Sequence, residues 1–204
     1  MKILNELWEK EDLNMRHIIE GLSKDKQKRH ISNFNNHYVK HIDIKKIKKS
    51  LDWGCGGGLL TKELQKFSKE VHCVDVSEKS IKSCIDYTNP TKTYLLNISP
   101  LDLDLPQVDL ILANAIVWHF PSLQYFKDVI SKWVELNPKY IVFNTKSISK
   151  TVETKDYAND ILNGLKLNDD DVVGLFKPNN YKLISQVRAS NTGNPSTYFV
   201  FKKI

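Results

Sequence analysis

Long apolar runs, paired cysteines and arginine are all scarce in this chain of 204 residues. No apolar stretch reaches the roughly 18 to 20 residues that a membrane-spanning helix needs, and the longest lies around 110–120. Residues 1–6 lack the basic region and apolar core of a signal peptide. These absences argue against a membrane protein and predict a cytoplasmic one.

Cysteine is the next scarce residue, with three in the chain: Cys55, Cys73 and Cys84. They form no Cys-x-x-Cys pair, and their number is odd. Both facts argue against a disulfide framework and against a zinc site. The sequence therefore predicts free thiols and no metal.

The net charge of +6 is concentrated in the lysine-rich segment 24–49. Such density suits an anionic partner such as nucleic acid. Arginine is scarce and no aromatic-interleaved basic motif appears, which weakens a specific RNA interpretation. A solvated helical face is the favoured interpretation, and nucleic acid remains an open alternative.

From Ser50 onward, short apolar runs alternate with helix-like stretches, which is typical of a parallel sheet covered by helices. Helices are predicted at Leu59 to Phe67, at Ser77 to Tyr87 with Ser77 as N-cap, and at Ser122 to Leu136. Seven strands are predicted: Ser50 to Trp53, Glu70 to Val76, Thr93 to Ile98, Val108 to Ala115, Tyr140 to Thr145, Leu183 to Ala189 and Thr197 to Lys202.

Two segments fall outside this alternation. Residues 1–45 read as helical and precede the first strand, so they form either a substrate-facing cap or helices that only cover the sheet. The segment Ser147 to Asn180 is longer than a simple connection, and its run Asn168-Asp169-Asp170-Asp171 is placed to cap a helix starting near Val172.

The sharpest motif is Leu51-Asp52-Trp53-Gly54-Cys55-Gly56-Gly57-Gly58, an apolar strand followed by glycines at alternate positions. Glycines there allow a tight turn and a close approach of a ligand to the backbone. A dinucleotide fingerprint would need a small residue where Leu59 stands, and no Gly-Lys-Ser/Thr follows for a phosphate loop. A dinucleotide-binding enzyme and a phosphate-loop protein are therefore both disfavoured.

The spacing Asp52-x-Gly54-x-Gly56-x-Gly58 resembles the first motif of the class I S-adenosylmethionine-dependent methyltransferases. The resemblance implies that this loop, with Cys55, wraps the methionine portion of S-adenosylmethionine. It also implies that Asp52 lies near the cofactor's amino group.

The second predicted strand, Glu70 to Val76, carries Asp75 near its carboxyl end, seventeen residues after Gly58. A carboxylate there can accept hydrogen bonds from two vicinal hydroxyls. By the resemblance, Asp75 is the ribose-binding acid and Val76 lies beside it. Asn97 and Ile98 correspond to the family's contacts around adenine, although Asn97 replaces the usual Asp.

The segment Val108 to Phe120 resembles the family's fourth strand and the loop that follows it. The resemblance puts Asn114 close to the transferred methyl group and Trp118 to Phe120 on the substrate side. His119 is a candidate general base for O-methylation, because imidazole titrates near neutral pH. A purely structural role for His119 is the alternative.

The resemblance implies a doubly wound α/β fold over residues 46–204, with seven strands, the last of them antiparallel, and helices on both faces. Without an Asp/Asn-Pro-Pro-Tyr/Phe motif, the chain lacks the clamp that many amino methyltransferases use. O-methylation of a small molecule or sugar-like metabolite is therefore favoured. An RNA methyltransferase and a non-catalytic S-adenosylmethionine-binding partner are the alternatives.

Overall fold

The computed structural model describes residues 2–10, 19–190 and 195–204. Its strands are β1 (Lys49–Trp53), β2 (Glu70–Asp75), β3 (Lys92–Leu95), β4 (Leu110–Ala113), β5 (Tyr140–Lys146), β6 (Val152–Glu153), β7 (Leu165–Lys166), β8 (Tyr181–Ser190) and β9 (Pro195–Lys203). Seven of them form one sheet in the order β3-β2-β1-β4-β5-β9-β8, and β6 pairs with β7 separately.

Strands β1 to β5 pair in parallel, and β9 runs antiparallel to both β5 and β8. The predicted seven-stranded, mostly parallel sheet with an antiparallel last strand is confirmed. In this order β1 lies between β2 and β4. Strands β2 and β3 therefore follow on one side of β1, and β4 and β5 follow on the other. Ligands bind at such a reversal, outside the carboxyl ends of the strands.

The helices are α1 (Lys2–Trp8), α2 (Lys24–His37), α3 (Leu59–Leu64), α4 (Glu78–Thr88), α5 (Leu123–Glu135) and α6 (Asp169–Phe176). The predicted N-cap is confirmed, because the Ser77 hydroxyl accepts a hydrogen bond from the Ser80 N–H at 3.1 Å. Ser122 caps α5 in the same way through the Tyr125 N–H. Each hydroxyl satisfies a backbone donor that the first turn leaves unpaired.

Apolar side chains cover both faces of the sheet, because alternate residues of a strand point to opposite sides. On one face Trp53 and Phe143 pack with Phe126 of α5 and Phe176 of α6. The opposite face packs against α2, α3 and α4 through Phe34, Leu60, Leu64 and Cys84. Two cores of this kind hold the strand ends, and hence the site, on a rigid frame.

The structure corrects two local predictions and adds one pair of strands. Strand β3 ends at Leu95 rather than Ile98, because the Asn97 N–H turns back to the Leu95 carbonyl at 3.1 Å. Helix α6 begins at Asp169 rather than near Val172, and Asn168 caps it by accepting from Asp170 and Asp171. The short pair β6 and β7 within Ser147 to Asn180 was not predicted.

The predicted turn at 191–194 lies outside the described residues. None of the described helices has both the length and the apolar character that crossing a membrane requires.

Candidate active site

The glycine-rich loop connects β1 to α3 and bends in the left-handed region. Gly54 has φ +78° and Gly58 has φ +86°, backbone angles that a residue with a Cβ adopts only at a cost in conformational energy. The N–H groups of Gly54 and Cys55 donate to the Val74 carbonyl at 2.7 and 3.1 Å, which ties the loop to β2. A Cβ on Gly54 would lie 2.5 Å from Cγ2 of Ile116.

Gly58 lies where the glycine loop enters α3 and packs against α4. A Cβ at this position would lie 2.9 Å from Thr88 Cγ2 and 3.0 Å from Cys84 Sγ. Gly58 therefore lets α3 approach α4 closely, and it does not line the clefts described below.

Asp75, at the end of β2, holds the glycine loop in place. Its Oδ2 accepts from the Gly56 N–H at 2.8 Å, and its Oδ1 accepts from the Ser77 N–H at 3.0 Å. Burial raises the pKa of this carboxyl to about 6, against the opposing effect of these backbone hydrogen bonds. Each carboxylate oxygen has a second lone pair, so Asp75 can accept further hydrogen bonds from a ligand's hydroxyls.

Asp52 lies one strand away and is almost entirely buried, with 3% of its surface exposed. Its Oδ2 accepts from the Thr61 hydroxyl at 2.7 Å. Burial raises the pKa of Asp52 to about 7, although the Thr61 hydrogen bond acts in the opposite direction. A cationic ligand group beside it would favour the ionised carboxylate.

Two clefts open at this edge of the sheet, and Gly54, Gly56, Ala115 and Ile116 line both. The first cleft, of about 650 Å³, also contains Asp75, Val76, Leu96 and His119. The second, of about 550 Å³, contains Asp52, Cys55 and Asn114. The two acids thus face adjoining cavities, one on each side of the glycine loop.

The structure does not bring Asn97 and Ile98 to either cleft. Both are exposed, Ile98 to 43%, because β3 ends before them. Leu96 occupies the cleft wall instead and is 2% exposed. The apolar position beside Asp75 is therefore Leu96, two residues earlier than the resemblance implies.

A feature that the sequence did not reveal fixes the loop after β4. Ala115 adopts φ +61°, a left-handed value that is uncommon for alanine. Its N–H donates to Oδ1 of Asn144 at 2.7 Å, and Asn144 is buried in the neighbouring strand β5. The loop is held in a strained form of the kind found at ligand sites, with Asn114 in the second cleft and Ile116 over Gly54.

His119 lies in the wall of the first cleft. Its Nδ1 is 3.1 Å from the Ile161 carbonyl oxygen. Since a carbonyl can only accept, Nδ1 carries the hydrogen, and in the neutral ring Nε2 is the basic nitrogen. The Tyr157 hydroxyl also donates to the His119 backbone carbonyl, which anchors the segment.

The N-terminal helix reaches the same cleft. Trp8 lines it, and the Trp8 ring meets the His119 ring edge-on at 5.0 Å between centroids. The Asn5 amide donates to the Val76 carbonyl at 3.0 Å, which fastens α1 beside Asp75. These contacts support the predicted cap at residues 1–45, which stays a prediction.

The arrangement offers a ligand two acidic acceptors, an apolar wall and a close backbone. Asp75 suits a pair of vicinal hydroxyls, and Asp52 suits an ammonium group. Leu96 and Val76 provide the apolar surface that an aromatic ring needs. A cationic nucleoside such as S-adenosylmethionine fits these two acceptors and this apolar surface.

A family model described as a methyltransferase domain matches residues 51–136, which contain both acids, the glycine loop and His119. Among curated proteins, no sequence matches the chain.

Solved structures of low sequence identity share the fold. Magnesium protoporphyrin IX methyltransferase from Synechocystis, with bound S-adenosylmethionine, is 14% identical with a TM-score of 0.73, over 100% of this chain and 96% of that one. A SAM-dependent methyltransferase from Leishmania major is 15% identical with a TM-score of 0.76, over 98% and 82%. The N-methyltransferase NodS from Bradyrhizobium japonicum, with S-adenosyl-L-homocysteine, is 13% identical with a TM-score of 0.69, over 99% and 97%.

Proposed function

We propose that the chain is a class I S-adenosylmethionine-dependent methyltransferase that methylates a hydroxyl oxygen of a small molecule, with His119 as the general base; the methyltransferase-domain model that matches residues 51–136 supports this class. S-Adenosylmethionine is the cofactor of this class. The acceptor and the accepting atom are the new parts of the proposal.

The cofactor's site follows from the two clefts. Asp75 and Leu96 would hold the ribose and adenine in the first cleft. Asp52 would face the amino group in the second, where Cys55 and Asn114 complete the wall. When bound, the cofactor supplies an electrophilic methyl group on a sulfonium sulfur.

The observation that carries the choice of oxygen is the hydrogen bond between His119 Nδ1 and the Ile161 carbonyl. It fixes the tautomer whose Nε2 can take a proton. A hydroxyl acceptor has to lose its proton as the new bond forms, so a base within the cleft speeds the reaction. Orientation of the acceptor against the methyl group supplies the remainder of the catalysis.

The lining of the first cleft supports a small acceptor. Trp8, Phe120 and Tyr125 give the first cleft aromatic walls, which exclude water from the reacting atoms.

His119→Ala should lower kcat by about a hundredfold or more, because general-base catalysis usually contributes that much. Release of S-adenosylhomocysteine in a screen of hydroxyl-bearing acceptors measures the rate. The matched control is His41→Ala, since His41 lines neither cleft. A loss of less than about tenfold for His119→Ala would remove the general-base role.

A macromolecular acceptor such as RNA is the second candidate. Helix α2 exposes Lys24, Lys26, Lys28 and Arg29, and the next residue, His30, lines the second cleft. An anionic chain lying along α2 would thus reach the cofactor. Binding to RNA that falls steeply with salt would favour this candidate, and binding that ignores salt would exclude it.

A further inference from the structure

The three cysteines come from separate elements and meet beneath the cofactor loop. Cys55 lies in the glycine loop, Cys73 in β2 and Cys84 in α4. Their sulfur atoms all lie within 4.8 Å of one another. The distance from Cys84 Sγ to Cys73 Sγ is 3.8 Å.

That spacing suits coordination of one metal ion. Two thiolates bound to a tetrahedral Zn²⁺ at about 2.3 Å each lie about 3.8 Å apart. The Cys73–Cys84 distance already has this value, and small rotations of the Cys55 side chain would bring the third sulfur to the same range. Thiolate sulfur is also the ligand that Zn²⁺ and related soft ions prefer.

The surroundings provide an outer partner and a route of entry. The Thr61 hydroxyl lies 3.5 Å from Cys73 Sγ and 3.7 Å from Cys84 Sγ, and it donates to Asp52. Because its one hydrogen goes to Asp52, the Thr61 oxygen accepts from the Cys73 and Cys84 thiols, which orients both side chains before an ion binds. Cys73 and Cys84 are fully buried, whereas Cys55 lines the second cleft, so an ion can enter from there.

We propose that Cys55, Cys73 and Cys84 form a three-thiolate site for one thiophilic d¹⁰ ion, of which Zn²⁺ is the physiological candidate. Binding forms three metal–sulfur bonds and releases to solvent the protons that the thiols carry. The ion joins the glycine loop to β2 and α4, which stabilises the loop that the cofactor contacts. The site is independent of which atom accepts the methyl group.

The test uses the whole reduced chain, freed of metal with a chelator and titrated with Cd²⁺ and with Zn²⁺. One equivalent of Cd²⁺ should produce the ultraviolet charge-transfer band of cadmium thiolates, which surface carboxylates and imidazoles do not give. One equivalent of Zn²⁺, added to the metal-free chain, should protect the thiols from alkylation and raise the Tm, and Cd²⁺ added afterwards should displace it and restore the band, because the softer ion binds thiolates more tightly. No cadmium–thiolate band in the wild-type chain would overturn the proposal.

Substitutions assign the ligands. Each of Cys55→Ser, Cys73→Ser and Cys84→Ser should weaken binding of Cd²⁺ by about a hundredfold, and Thr61→Val by about tenfold, since outer partners contribute less than ligands. Thermal melts in metal-free buffer check that each variant folds. Cadmium affinity that is unchanged in all three folded serine variants would also overturn the proposal, because the bound ion would then lie elsewhere.

Discussion

Replacing Gly54 by alanine should destabilise the protein by about 2–5 kcal/mol and weaken binding of S-adenosylmethionine by at least about tenfold. Gly54 has φ +78°, which costs an L-residue about 1–2 kcal/mol. Its added Cβ would also lie 2.5 Å from Ile116 Cγ2, so the wall shared by both clefts would have to move. Chemical denaturation and calorimetric titration measure the two effects.

Two further variants separate the causes. In Gly174→Ala the new Cβ meets nothing within 4 Å, and the residue lies inside α6, so this variant should be neutral or up to about 1 kcal/mol more stable. In a double-mutant cycle with Ile116→Ala, Gly54→Ala should cost less stability in the Ile116→Ala background than in the wild type, because the clash with Cγ2 is removed and the backbone strain stays. Equal stabilities for Gly54→Ala and the wild type would contradict the described loop geometry.

The affinity for S-adenosylmethionine should rise by roughly tenfold from about pH 5.5 to about pH 7. Burial raises the pKa of Asp52 to about 7 and that of Asp75 to about 6, so both carboxyls hold protons at the acidic end of this range. The cofactor's ammonium group favours the ionised Asp52, and binding therefore releases a proton. Affinity consequently falls as the pH falls through these pKa values.

Isothermal titration across this pH range should distinguish the two acids. The Asp52→Asn variant should bind more weakly and keep only the dependence centred near the pKa of Asp75, about 6. Methylthioadenosine has the ribose but no ammonium group, so its affinity should follow Asp75 alone in the wild type. The assignment of Asp52 to the amino group would fail if Asp52→Asn left the pH dependence for S-adenosylmethionine intact.

Most of the fold could be predicted from the sequence, because residue types within or beside each segment mark most of the helices and strands. The caps Ser77 and Ser122 mark helix starts, and the apolar runs of β1, β4 and β5 are bounded by Gly, Asn and Pro. Strand ends were harder, since the residue types of a short apolar run do not mark the residue at which the strand turns. The turn from Asn97 to the Leu95 carbonyl ends β3 early and puts Leu96 in the cleft.

The parts of the site that sequence reasoning missed come from residues far apart in the chain. Oδ1 of Asn144 accepts from the Ala115 N–H, which is 29 residues away in the chain, and nothing in the segment around Asn144 signals that role. The cysteines carry no recognisable metal-binding spacing, yet a strand, a helix and a loop bring their sulfurs together. Gly58 matched a motif position but serves the packing of α3 on α4.

The most direct test of the cofactor site is calorimetric titration of S-adenosylmethionine and S-adenosylhomocysteine into the wild type, Asp75→Ala and the control Asp86→Ala. Asp86 pairs with Lys82 on the exposed side of α4, away from both clefts. Micromolar binding by the wild type and the control, weakened by more than about tenfold, or about 1.4 kcal/mol, in Asp75→Ala, is the predicted result. Equal affinities in all three proteins, or no binding by the wild type, would contradict the cofactor site described above.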